Sequence, residues 1–160
     1  MSNVSREPDY RPCAGIMLAN REGQIFVGKR IDNPGAEAWQ MPQGGIDDGE
    51  VPRDAALREL TEETGIAADL VDILAQSADE YYYDLPEELA AQIWKGKFRG
   101  QRQHWFLMRF KGDDSAINIA TKHAEFSEWK WTDPASVPML IVPFKKRLYE
   151  QVLEEFAHLI

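Results

Sequence analysis

The sequence predicts an α/β fold, with mixed strands and helices on both faces. Three observations lead there. Strand and helix signals alternate along the chain without repeats or low-complexity stretches, a helix-forming run stands between strands at residues 52–64, and an amphipathic helix closes the chain. With 160 residues and 44% hydrophobic content, a single domain over residues 1–160 is expected, with residues 1–9 flexible.

Cys13 to Ala19 and Gln24 to Lys29 read as strands joined by the turn Asn20-Arg21-Glu22-Gly23. Ile31 to Ala38, with Asn33-Pro34-Gly35, is a loop, and Trp39-Gln40-Met41 leads into a second loop, Pro42-Gln43-Gly44-Gly45. Pro52 opens a helix to Thr64 because its fixed φ and missing N–H suit a first turn, and Gly65 fits a left-handed C-cap. Ala56, Leu57 and Leu60 give that helix an apolar stripe to lay on a sheet. Leu70 to Leu74 and Glu80 to Tyr83 read as extended, Pro86 to Trp94 as a short helix and Lys95 to Gly100 as a loop. Gln103 to Phe110 is an aromatic-rich strand ending at the turn Lys111-Gly112-Asp113-Asp114. Phe126 to Trp131 sets Phe126, Glu128 and Lys130 against Ser127, Trp129 and Trp131, a strand alternation that Asp133-Pro134 stops. From Pro143, Phe144, Leu148, Val152 and Phe156 mark one face of the last helix.

Composition narrows the function. No run is apolar enough to span a bilayer, and Met1 to Pro8 lacks the apolar core of an export signal, so a cytoplasmic home without membrane contact is expected. Cys13 is the only cysteine, which excludes an internal disulfide and a multi-cysteine metal site; it is expected to pack as a small buried residue in a strand. A formal charge of -9 argues against broad nucleic-acid binding, which needs many Lys and Arg on phosphates, and no DNA partner is expected. The cations cluster at Lys95, Lys97, Arg99 and Arg102 and again at Lys145, Lys146 and Arg147, which would allow a local cationic mouth.

The most informative run lies between Gly44 and Ile66: Gly44, Glu50, Arg58-Glu59-Leu60, Glu62-Glu63 and Gly65-Ile66. Residues three and four apart share a helix face, so Glu59, Glu62 and Glu63 crowd together and repel unless a cation lies among them. Hard oxygen ligands suit Mg²⁺ or Mn²⁺, and Mg²⁺ bound by a few carboxylates keeps places for substrate phosphates. A carbonyl of the glycine loop, at Gly44, would complete the shell, since glycine lets backbone approach a ligand closely. Glu62-Glu63 alone would read as solvated surface; the whole run does not.

That run fills every defining position of the Nudix box, so the chain resembles the Nudix hydrolases. The resemblance implies cleavage of a nucleoside diphosphate linked to another group, two or more Mg²⁺ or Mn²⁺ ions, and an α/β/α sandwich around a central mixed β-sheet. Further stretches resemble the branch of bacterial RNA pyrophosphohydrolases and dinucleoside polyphosphate hydrolases: Tyr10-Arg11-Pro12, Trp39 to Gly45, Tyr83 to Pro86, Gly100 to Phe106, Ala124-Glu125-Phe126 with Trp129 and Trp131, and Val142 to Lys145.

By that resemblance Glu59, Glu62 and Glu63 are catalytic metal ligands, joined by Glu125 from a distant loop. Arg58 holds the box acids by salt bridge and Glu50 braces the loop through the helix. Arg11, Arg30 and Lys145 bind the polyphosphate, Tyr83 donates to a phosphate oxygen, and Val142 and Phe144 flank the first base. The residues alone place Phe144 in the core at the start of the last helix. The implied chemistry is metal-assisted attack of water on phosphorus, with Glu62 or Glu59 taking the proton and His104 and His123 as rival bases. The expected substrate is a 5'-triphosphate RNA end, converted to a monophosphate at the start of mRNA decay; the alternative is a dinucleoside polyphosphate such as diadenosine tetraphosphate. A more distant alternative is a non-catalytic nucleotide-binding regulator, whose signature, loss of box acids, is absent.

Overall fold

The computed structural model describes residues 10–31, 38–88 and 98–160. The expectations for residues 1–9, for most of the Ile31 to Ala38 loop, for most of the Pro86 to Trp94 helix and for Lys95 to Lys97 lie outside them.

Among the described residues eight strands form one mixed sheet: β1 (Tyr10–Ala19), β2 (Ile25–Arg30), β3 (Trp39–Gln40), β4 (Gln43–Gly45), β5 (Val71–Gln76), β6 (Tyr81–Asp84), β7 (Gly100–Phe110) and β8 (Phe126–Thr132). The main path runs β3-β2-β1-β7-β5, with β4 on β1, β6 on β7 and β8 on β2. β1 and β7 run parallel in register from Tyr10 opposite Gly100 to Ala19 opposite Arg109, and the other pairs are antiparallel. Both faces carry helices, as the sequence predicts. On one, α1 (Pro52–Thr64) lays Ala55, Ala56 and Leu60 on Ala14, Ile16, Leu18, Phe106 and Met108. On the other, α2 (Val137–Leu140) and α3 (Lys146–Phe156) cover Met17, Ala19, Trp105 and Leu107 with Val137, Leu148, Tyr149, Val152 and Phe156.

Several boundaries move. Pairing extends β1 back to Tyr10 and β7 back to Gly100, which puts Arg11 and Gln101 side by side on the parallel pair. Gln43 to Gly45 is a strand, not a loop: Cys13, Ala14 and Gly15 of β1 impose extended backbone on glycines with little preference for it. A 3₁₀ turn at Ala68–Leu70 delays β5 to Val71. Phe144 lies outside the last helix, in a 3₁₀ turn Pro143–Lys145, and Tyr149 joins Leu148, Val152 and Phe156 on the buried stripe. In β8 strict alternation fails at its start. Lys29 pairs with Glu128 and Arg30 with Phe126, so Ser127 is a bulge residue and Phe126 turns to the same side as Trp129 and Trp131. All three rings then pack on Phe26, at centroid distances of 6.1, 5.5 and 6.0 Å. Cys13 is fully buried in β1, as expected.

Candidate active site

Helix α1 is set by its ends. Pro52 stands in its first turn, and Gly65 closes it at φ 73 with its N–H donating to Thr61 O. The following loop is tied to its C-terminus: Asn118 N donates to Thr64 O at 2.7 Å and the Thr121 hydroxyl to Glu62 O. Pinning this loop brings Glu125, just before β8, toward the acids of α1. Ile31 N donates to Glu125 O at 2.9 Å, and Arg30 Nη2 stands 3.4 Å from Glu125 Oε2.

Arg58 organises the box. Its Nη1 donates to Glu59 Oε1 at 2.8 Å and to Glu62 Oε2 at 3.2 Å, its Nη2 to Gly45 O at 2.9 Å, and Nε and Nη2 fork onto Glu50 at 2.9 and 2.8 Å. Glu50 also accepts from Asp47 N at 3.0 Å. One guanidinium thereby locks the turn before α1, the end of β4 and two helix carboxylates together, a use of its planar fork that lysine lacks. The Arg58 bonds, then the backbone bond, hold the Glu50 carboxyl down at about 2, while the Glu50 bonds raise Arg58 above its ordinary range.

Glu63 faces inward. It is 1% exposed, and its Oε2 has no hydrogen-bond partner. Burial, then the charges of Glu59 and Glu125, push its carboxyl well above the usual range. Glu59 is also raised, by burial first, against the pull of Arg58. Its carboxylate lies against the bare Cα of Gly44, where a side chain would collide with it. Among the described residues no three acidic, histidine or cysteine side chains already ring a common point, and Arg58 is bonded to both Glu59 and Glu62. A hard divalent cation nevertheless fits this donor set. It would meet the orphaned Glu63 oxygen and relieve the repulsion that lifts both carboxyls, with Glu59, Glu62, Glu63, Glu125 and the Gly44 carbonyl as the oxygens able to hold it.

Beside the acids opens a cavity of about 600 Å³. Gly44, Glu59 and Glu125 are in its lining, and so are all six residues expected to contact substrate: Arg11, Arg30, Tyr83, Val142, Phe144 and Lys145. Glu62, Glu63, Glu50 and Arg58 are not part of this lining. Both expectations for Phe144 meet in one place: it is half-buried, packs against the core that holds Tyr83 with its ring 5.9 Å from the tyrosine's, and lines the cavity. Burial raises the Tyr83 phenol, so it stays protonated and able to donate. Lys145 Nζ stands 5.3 Å over the Tyr83 ring.

The cationic mouth differs in composition from the one expected. Of the two basic clusters only Lys145 lines the cavity among the described residues; Arg99 pairs with Asp84 at 3.1 Å and Arg102 with Glu80 at 2.8 Å, while Lys146 and Arg147 are exposed on α3. Neither rival base reaches it: His104 stands 3.4 Å from Glu80, and His123 is exposed outside the lining. The residue-by-residue reading missed Gln40, Gln43 and Gln101, three amides in the wall, and the apolar Leu85 and Ile141. The amides lie within stretches already notable in the sequence, Trp39 to Gly45 and Gly100 to Phe106, but an uncharged amide gives no pattern of its own.

The profile of the NUDIX domain matches residues 9–152. The chain is 61% identical over 151 residues to the RNA pyrophosphohydrolase of Sphingopyxis alaskensis, covering 94% of this chain and 95% of that one. It is 59% identical over 152 residues to the RNA pyrophosphohydrolase of Novosphingobium aromaticivorans, covering 94% of each. In structure it resembles the E. coli dihydroneopterin triphosphate pyrophosphohydrolase at TM-score 0.72 and 20% identity, over 92% of this chain and 96% of that one. It also resembles the C. elegans Ap4A hydrolase in a binary complex at TM-score 0.67 and 21% identity, over 92% and 98%. These two likenesses speak to the fold, a mixed sheet with helices.

Proposed function

Because the chain belongs to the Nudix family, we propose that it is a divalent-metal-dependent pyrophosphohydrolase that converts 5'-triphosphate RNA ends to 5'-monophosphates, the step that opens mRNA decay. The observation that carries this reading is identity of 61% and 59%, along nearly the whole chain, to proteins named RNA pyrophosphohydrolase. The cavity supports it, with carboxylates, three cations and aromatic rings together in its lining.

Each group has a task. Arg11, Arg30 and Lys145 take the triphosphate charge, with Arg forks matched to phosphate oxygens. The Tyr83 hydroxyl donates to a phosphoryl oxygen, and the Phe144 ring with Val142 gives the first base a stacking face that any base can use. That choice reads one nucleotide end with few phosphate contacts, which reconciles an RNA substrate with a chain of net charge -9. Glu59, Glu62, Glu63, Glu125 and the Gly44 carbonyl would hold Mg²⁺ or Mn²⁺, two or more ions, which when bound neutralise phosphate charge and make water a better nucleophile. Glu59 or Glu62 receives the proton of the attacking water. Arg58 and Glu50 keep these carboxylates in place.

Side-by-side assays with Mg²⁺ on 5'-triphosphate RNA and diadenosine tetraphosphate test the substrate. The RNA end is expected to lose pyrophosphate at the higher kcat/KM; an untouched RNA end where the dinucleotide is consumed refutes it. Glu62→Gln is expected to lose turnover by several orders of magnitude, whereas a binding-only regulator would retain its biological effect.

A further inference from the structure

The glutamines of the cavity wall are wired to the core. Trp105 is fully buried on β7, its backbone N–H donating to Ser77 Oγ at 3.0 Å and its carbonyl accepting from Ser77 N at 2.8 Å. Its ring lies over Gly15, where a side chain would stand 2.5 Å from Cε2, and meets Tyr149 edge-on at 5.8 Å. Held so, Trp105 Nε1 donates to Gln103 Oε1 at 2.8 Å. An indole N–H can only donate, so this bond fixes which end of the Gln103 amide faces inward. Gln103 must then turn its NH₂ outward. It donates to Gln101 Oε1 at 2.7 Å and to Gln43 Oε1 at 3.4 Å.

The consequence passes one residue further. With their carbonyl oxygens turned toward the Gln103 NH₂, Gln101 and Gln43 leave their own NH₂ ends to offer the cavity they line. A third amide agrees: Gln40 is 4% exposed, lines the same cavity, and its Nε2 has no partner. We infer that Trp105 and Gln103 form a positioning relay that locks Gln101 and Gln43 as hydrogen-bond donors, so that this wall accepts phosphoryl oxygens and rejects groups that donate. Phosphoryl oxygens only accept, whereas the Watson–Crick edge of a base presents N–H groups as well. The relay therefore separates the polyphosphate end of a substrate from its base end, which rests on the polyphosphate reading given above. Neither Gln103 nor Trp105 lines the cavity, so their effect runs through the amides they orient.

The experiment uses inorganic tripolyphosphate in Mg²⁺ buffer as probe, followed by calorimetry and in parallel by competition with RNA turnover. Gln103→Met keeps length without hydrogen bonding and is expected to weaken tripolyphosphate about tenfold, the scale of hydrogen bonds to charged groups. KM for triphosphate RNA should rise by the same factor while kcat changes little. In a Gln101→Met background the Gln103→Met effect should shrink to the part carried by Gln43, because the rest acts through Gln101; full affinity in Gln103→Met, or effects that simply multiply, overturns the relay. The wild-type protein supplies a test free of folding effects. On adding tripolyphosphate, the side-chain NH₂ resonances of Gln101 and Gln43 should shift while the Trp105 indole N–H stays protected and unmoved; unshifted Gln101 and Gln43 signals at saturating probe also overturn it. If tripolyphosphate binds as expected and triphosphate RNA is left intact by the wild type, the relay stands and the RNA reading fails.

Discussion

Replacing Gly44 by alanine isolates the contact between strand β4 and the Glu59 carboxylate. A Cβ built there stands 2.5 Å from Glu59 Oε1 and closer still to the rest of the carboxylate, whereas ordinary contact begins at 3.4 Å. The carboxylate must therefore withdraw by at least about 0.9 Å, the difference of those two distances. Misplacing a reacting group by about 1 Å costs roughly 100-fold in rate, or about 2.7 kcal/mol of barrier. Stability should barely change, because the displaced atoms end a flexible side chain and alanine suits a strand better than glycine by roughly 0.5–1 kcal/mol. Gly49→Ala is the mirror control. Its φ of 79 disfavours any side chain and nothing lies within 4 Å, so it should cost about 1–2 kcal/mol of stability and leave turnover alone. Turnover of triphosphate RNA with saturating Mg²⁺, beside thermal melts, reads both. Gly44→Ala is expected to lose about 100-fold in kcat with a melting point within a few degrees of wild type, and Gly44→Ala/Glu59→Gln to fall no further than Glu59→Gln. A Gly44→Ala enzyme within threefold of wild type refutes the reasoning.

Arg58→Lys keeps the charge but not the fork that spans Glu50, Glu59, Glu62 and the Gly45 carbonyl, and for this partly exposed network a loss of about 2 kcal/mol in chemical denaturation is expected, with turnover falling as well. Glu50 sits at about 2 when folded against 4.5 ordinarily, so its contribution is present above pH 4.5 and lost as pH falls toward 2; the stability gap between wild type and Glu50→Gln should be open at pH 7 and close across that window in denaturant titrations. Mg²⁺ at about 100 times its Kd should stabilise the wild type by roughly 2.7 kcal/mol, about 5–10 °C in melting point, and Glu63→Gln should lose most of that gain in the same melts.

What the sequence showed and what it hid divide along the range of the interactions involved. Helix α1 was legible to its caps because Pro52, Gly65 and the 3.6-residue spacing act within a few residues. The strand at Gln43 to Gly45 was not, because its conformation is imposed by β1, far back along the chain. Phe126 broke the alternation for a similar reason, since the bulge at Ser127 answers to the pairing with Lys29 and Arg30. At the site, charge made Arg11, Arg30, Lys145 and the box acids candidates through motif resemblance, and the fold set the three cations, Glu59 and Glu125 around one cavity. The amides had no such flag. What matters in Gln43 and Gln101 is which end of the amide faces the cavity, and that is decided by an indole two strand positions beyond Gln103, held flat by Gly15 on the neighbouring strand. Donor direction depends on tertiary structure, so a search for charged or nucleophilic residues passes over it, although it determines which ligand groups a neutral wall accepts.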